Sequence, residues 1–261
     1  MTVLAVAAAG AVMAGAALQS AVGFGFALVA APLLYAAAPS PEQAVGLMIV
    51  LGLEVNLLTL LAERRRPEPV WADVVGVVAW SLPGALAGVA VLRALDAVAL
   101  QLLVTAGVLA ALVVNLRAER RVRTGTVPAR HRDSPRAARA RWARPLAGLS
   151  SGALNTSTST GGPPVALLLM SRGLRPHVVR DTLTTSFVGF APVAAAALVV
   201  TGTRDAAPDA TWLAALLPLT AAGQLAGRPL FSRLAAARSY ERVLTVVLVV
   251  TVAAGLIGVL L

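Results

Sequence analysis

The sequence predicts an all-α polytopic membrane protein built of two inverted-topology repeats. Each repeat would be a Gly/Pro-broken re-entrant or short-helix hairpin followed by three transmembrane helices. Three observations carry this. The chain of 261 residues is 58% hydrophobic and only 13% charged, against about 25% charged in soluble domains. Several apolar stretches exceed the roughly 18 residues that mark a spanning helix. Finally, one stretch near the start of each half is apolar at its ends but interrupted by Gly, small polar residues and Pro.

The first broken stretch runs from Gly15 through Gln19, Ser20, Gly23 and Gly25 to Leu34. It belongs to an apolar run over residues 2–37. No basic segment precedes it, so it reads as mature structure and not as a signal peptide. Spanning helices follow at 41–62, 70–92 and 97–116. The second broken stretch runs from Gly148 through Asn155-Thr-Ser-Thr-Ser-Thr-Gly-Gly162 to Leu169, within a hairpin over 145–170. Helices at 181–202, 211–232 and 242–260 complete the second half, each near the ~20 residues a bilayer requires. Pro39-Ser-Pro41, Arg66-Pro67, Arg175-Pro176 and Pro208-Asp209 mark the turns. The repeats are thus 1–116 and 145–261, joined by a linker over 117–144. Leu82-Pro-Gly-Ala-Leu-Ala-Gly88 recurs as Leu217-Pro-Leu-Thr-Ala-Ala-Gly223, at the same place in each half, which supports duplication.

The net charge of +10 is concentrated and does not point to nucleic acid. Ten of the 22 basic residues lie between Arg117 and Arg144, with no aromatic or fold signature of nucleic-acid binding beside them. Such a segment reads as a cytoplasmic linker that can touch anionic lipid. Arg64-Arg-Arg66 and the loop with Arg172, Arg175 and Arg180 should lie on the same side. Segment 145–170 must then enter and leave from the cytoplasm. Its length of ~39 Å at 1.5 Å per residue is too short for two crossings of a ~30 Å core, so a re-entrant hairpin fits. The counterpart over 2–37 would begin and end outside, as a re-entrant segment or two short spans.

Gly23-Phe-Gly-Phe-Ala-Leu-Val-Ala-Ala-Pro-Leu-Leu34 and Gly161-Gly-Pro-Pro-Val-Ala-Leu-Leu-Leu169 resemble the paired signatures of the sulfite exporter TauE/SafE family. Arg180-Asp-Thr-Leu183, the Leu-Pro…Gly helix at 217–227 and an apolar terminal helix are similar to that family as well. The resemblance implies a permease for sulfite, sulfonates and related sulfur-containing anions, in the cytoplasmic membrane and with no cofactor.

The broken segments suit such a cargo. A helix interrupted inside the membrane presents unpaired N–H groups and the positive end of its dipole. Gly lets that backbone approach a ligand, and Thr156-Ser-Thr-Ser-Thr160 supplies five consecutive hydroxyls. The candidate binding residues are Asn155, Thr156, Ser157, Thr158, Ser159, Thr160, Gly161 and Gly162, facing Gln19, Ser20, Gly23 and Gly25. The competing reading is that these small residues only permit tight helix packing.

Glu54 is the only acid well inside a predicted span. An ionised carboxylate there costs roughly 2.5–3.5 kcal/mol on insertion scales, so it should face a cavity, bond a polar neighbour such as Asn56, or carry a proton. The last makes it the candidate for coupling transport to protons. Asp73 and Asp181 read as helix caps, and Gln101, Asn115 and Gln224 as interhelical hydrogen-bonders.

An enzyme is not expected. Gly148-Leu-Ser-Ser-Gly152 matches a nucleophile-elbow string, but that motif needs a strand–turn–helix setting and a base. The only histidines are His131 and His177, both in Arg-rich segments. No zinc-protease or phosphate-loop motif is present, and without cysteine no thiolate metal site exists. The remaining alternative to a transporter is a non-transporting scaffold or accessory subunit, which has no reason to keep two broken segments.

Overall fold

Helix punctuation in this chain comes from glycine, serine and proline. Gly25 takes φ 114°, a left-handed backbone that only glycine adopts without strain, and it separates α1 (Thr2–Val22) from α2 (Phe26–Ala37). Ser40 caps α3 (Pro41–Leu61), its Oγ accepting from the Gln43 N–H at 3.1 Å, with Pro41 opening the helix. A computed structural model describes residues 2–62, 65–96, 98–100, 102, 136–170, 172 and 174–236. Its further helices are α4 (Trp71–Ala94), α5 (Arg136–Thr158), α6 (Gly162–Met170), α7 (Pro176–Val200) and α8 (Ala210–Ala236), with a 3-10 turn at Arg204–Ala206. Among the described residues there is no strand.

Five of these helices are long and apolar enough to cross a membrane: α1, α3, α4, α7 and α8. The 12-residue α2 and the 9-residue α6 fall well short of the ~20 residues needed. The expected span at 242–260, that at 97–116 apart from residues 98–100 and 102, linker residues 117–135, and Gln101 and Asn115 lie outside the described residues. The linker expected to run to residue 144 gives way to helix at Arg136.

Helices pair across the two halves. The long α1 packs along α8, α5 along α4, and α3 against α7 between them. Glycine pairs four residues apart make the first two contacts close. A methyl group on Gly84 or Gly88 of α4 would collide with the Leu149 and Ala153 carbonyls of α5. On Gly223 or Gly227 of α8 it would collide with the Met13 and Ala17 carbonyls of α1. Small residues at such spacing let helix backbones meet. The recurring heptapeptide ends on Gly88 and Gly223, but these two glycines do not occupy matching places in the packing. Gly84 with Gly88 and Gly223 with Gly227 are the pairs of like contacts.

Two apolar clusters form the interior. One joins α1, α2, α3, α4 and the later part of α7, and the other joins the first break to α5, α6 and the start of α7. Phe26, Met48 and Ile49 belong to the first, Phe24 and Leu28 to the second. The breaks lie where the two clusters meet.

The charges gather at one end. Asp73 of α4 is fully buried and pairs with Arg144 of α5 at 2.6 Å and with Arg172, just after α6, at 2.9 Å. The α5–α6 hairpin therefore starts and finishes beside the same carboxylate. Asp181 takes both guanidinium nitrogens of Arg65 at 2.7 and 2.8 Å and the Glu68 N–H at 2.8 Å. The capping role expected of both aspartates is not what they do: neither caps its own helix, and each holds a neighbouring segment instead. Helix α7 starts at Pro176, five residues before the expected span, and buries Arg180 and Asp181 inside it. A paired carboxylate needs no exclusion from a spanning helix.

Candidate functional site

The two broken segments converge on one cavity of ≈ 40 Å³. One water needs roughly 10–15 Å³ of such space, so the cavity has room for a few waters or one small polyatomic ion. Gln19, Gly25, Ala27 and Leu28 line it from the first break, and Asn155, Ser159, Thr160 and Gly162 from the second. Asn56 of α3 adds a further amide. Phe24, Phe26, Met48, Pro163 and Phe187 supply an apolar wall.

Gln19 organises the first break. Its Oε1 accepts from the Phe26 N–H at 2.9 Å, capping α2 from the end of α1, and its Nε2 donates to Asn56 Oδ1 at 2.8 Å. Asn56 in turn donates to the Gly52 carbonyl at 2.7 Å. The second break takes its bend at Ser159, whose φ of 58° is left-handed and sparsely populated for a residue with a side chain. Tyr35 of α2 ties the two hairpins together by donating to the Ser157 carbonyl at 3.1 Å.

The five consecutive hydroxyls do not act as one group. Successive helical residues point about 100° apart, so they diverge. Ser157 Oγ donates to the Ala153 carbonyl and Thr158 Oγ1 to the Leu154 carbonyl, both at 2.8 Å. Thr158 and Thr160 share a bond at 2.7 Å. Thr156 is buried against Gly88 of α4, and its hydroxyl has no partner among the described residues, as is true of Ser20 and Ser159. Of these three, Ser159 alone lines the cavity. Gly23 packs on Arg180 and Gly161 on Ser151 and Asn155, away from the cavity lining.

Glu54 stands apart from the cavity and accepts from the Thr220 hydroxyl of α8. Asn56, named as its possible partner, faces Gln19 instead. Gln224 is buried, with no hydrogen bond to a described residue. Two site features escaped the sequence reading. Asn56 carried a usable signal, an amide in the middle of an apolar span. Arg180 looked like a loop residue, yet it is buried with 2% exposure and packs on the first break; only the tertiary contact reveals this.

A multi-pass helical protein that brings two interrupted helices to one buried, polar-lined cavity has the build of a membrane transporter. The chain matches the family model for sulfite exporter TauE/SafE over residues 7–256, and it belongs to that family of membrane transporters. No curated protein and no solved structure matches it.

Proposed function

We propose that the chain is a secondary transporter of small sulfur-containing anions, sulfite or a short sulfonate, in the cytoplasmic membrane. The observation that carries this reading is the meeting of both broken segments at one small cavity, whose lining includes the Gln19, Asn56 and Asn155 amides, the Ser159 and Thr160 hydroxyls and three phenylalanine rings. Such interruptions, brought together inside a bundle, are the membrane form of a helix-end ion site.

The working cycle is alternating access between two inverted-topology repeats. Support comes from reciprocal pairing, α1 with α8 and α5 with α4, through glycine pairs of identical spacing. The Arg-rich end, cytoplasmic by the positive-inside rule, is held by ion pairs of Asp73 and Asp181 between the halves. Towards the other end, Ile49 separates the cavity from a larger apolar recess of ≈ 620 Å³ between α3 and α7. Breaking the ion pairs while closing the recess would turn the cavity towards the cytoplasm. Glu54, bonded to Thr220 across α3 and α8, is the proposed proton-coupling residue, since protonation would change a contact between the two halves.

Uptake of radiolabelled sulfite and methanesulfonate into proteoliposomes, with and without a pH gradient, tests this. Gradient-driven flux is expected in wild type, and loss of the gradient effect alone in Glu54→Gln. Absence of flux of either anion from folded protein overturns the reading.

A further inference from the structure

The two breaks are unequal in what they offer an anion. Aligning the helix starts Phe26 and Gly162 sets Ala27 and Leu28 of α2 opposite Pro163 and Pro164 of α6. The first N–H groups of a helix have no partner within it and point out beyond its start. Proline has no N–H. Within its first three residues α6 therefore offers one backbone donor, Gly162, whereas α2 offers three. Gln19 takes the first of these, at Phe26. The Ala27 and Leu28 N–H groups have no partner among the described residues, and both residues line the cavity. Gly25 beside them carries no side chain to block approach.

The same alignment sets Gln19 opposite Asn155. Gln19 reaches its own helix start, while Asn155, one methylene shorter, makes no side-chain hydrogen bond to any described residue. It is nevertheless 92% buried and lines the cavity. Ser159 Oγ also lacks a described partner there. The Asn155 amide thus has no described partner at the cavity, and a ligand oxygen there would supply one.

We infer that the anion's oxygens are held by the Ala27 and Leu28 N–H groups of α2 together with the Asn155 amide and the Ser159 hydroxyl, and that α6 contributes side chains in place of its own helix end. The assignment rests on the transport reading above and deepens it. Gln19 and Asn56 are positioning residues: they fix the start of α2 and leave its next two donors to the ligand. The first half supplies oriented backbone and the second supplies side chains, so one anion bridges both halves of the moving structure.

The test borrows the protein's own second break. Ala27→Pro removes one N–H in the first turn of α2, where proline is tolerated and where α6 already carries Pro163. Affinity for sodium sulfite and sodium methanesulfonate is measured by titration calorimetry on the full chain in nanodiscs, with the unliganded melting temperature reporting the fold. Loss of a charge-assisted hydrogen bond should weaken both anions about tenfold or more in Ala27→Pro and in Asn155→Ala. Pro164→Ala, which restores an N–H to the first turn of α6 at a residue outside the cavity lining, should bind within about twofold of wild type.

Wild-type affinity in folded Ala27→Pro overturns the assignment, as does a tenfold change in Pro164→Ala, which would seat the anion on α6. If Ala27→Pro fails to fold, Leu28→Pro and Asn155→Ala decide, and unchanged affinity in both overturns it. Wild-type protein that binds neither anion overturns the transport reading and this assignment together, so the two failures are distinguishable.

Discussion

Gln19 donates through its side-chain amide to Asn56 at 2.8 Å, joining the end of α1 to the middle of α3 at the floor of the cavity. The same side chain caps α2 through Phe26. Gln19→Leu keeps the volume but leaves the Phe26 N–H and the Asn56 carbonyl oxygen without partners. A cost of about 2–3 kcal/mol is expected, read as a lower melting temperature in detergent together with weaker sulfite binding. Weaker binding at an unchanged melting temperature would mean that Gln19 contacts the anion directly.

The hydroxyls of Thr156 and Ser159 should separate cleanly. Thr156 is buried against α4 and is not part of the cavity lining, so Thr156→Val should leave anion affinity within about twofold and stability unchanged or raised. Ser159→Ala should weaken binding several-fold, since its Oγ lies at the cavity. The comparison is a pair of titrations on equally folded protein.

Asp73 neutralises two arginines at once. Asp73→Asn leaves Arg144 and Arg172 with no carboxylate between them. Breaking a fully buried pair costs about 3–5 kcal/mol. These guanidinium side chains are 39% and 30% exposed, and water reduces the expected loss to roughly 1–2 kcal/mol. Replacing all three with apolar residues, Asp73→Leu with Arg144→Met and Arg172→Met, should recover much of it. The proposed alternating access further requires that a cysteine placed at Asn155 label faster from the Arg-rich side in Asp73→Asn.

Gly84→Ala and Gly223→Ala each set a methyl group onto a backbone carbonyl of the facing helix, Leu149 and Met13 respectively. Backbone cannot swing aside as a side chain can. Each should lower stability by about 1–3 kcal/mol, measured by thermal unfolding, and the two effects should be similar because the contacts are alike.

Asp209 starts α8 from outside the span. The Thr211 backbone N–H, the Thr211 side chain and the Trp212 N–H hold its carboxyl below the usual carboxylate range. A depressed value means the ionised cap stabilises the fold at neutral pH, and this contribution is lost as pH falls through the acid range below about 4. The fall in melting temperature between pH 7 and pH 3 should therefore be smaller in Asp209→Asn, which keeps a capping oxygen but not the charge.

Much of the architecture was legible before any coordinates. Apolar length announced α3, α4, α7 and α8. Gly23 and Gly25 announced the first break and Gly161-Gly-Pro-Pro164 the second, because backbone must leave the helix where φ turns positive or where N–H groups are missing. Serine, proline and aspartate marked helix starts through hydrogen bonds reaching no further than three residues.

Partner choice across the bundle was decided by tertiary structure alone. Five consecutive hydroxyls look like one site in a string, but a helix fans them apart. That Asn56 faces Gln19 while Glu54 faces Thr220 follows from the angular offset of two residues on α3. Arg180, read as a loop residue, and Asp181, read as a helix cap, are both buried in α7, where Asp181 meets Arg65 and Arg180 packs on Gly23. The sequence by itself determined both breaks and the apolar spans of α3, α4, α7 and α8, since these depend on local backbone chemistry and on the cost of exposing polar groups to lipid. Which side chains line the cavity and which pair across the halves depends on contacts between residues from 37 to 166 positions apart, and only the packed helices bring them together.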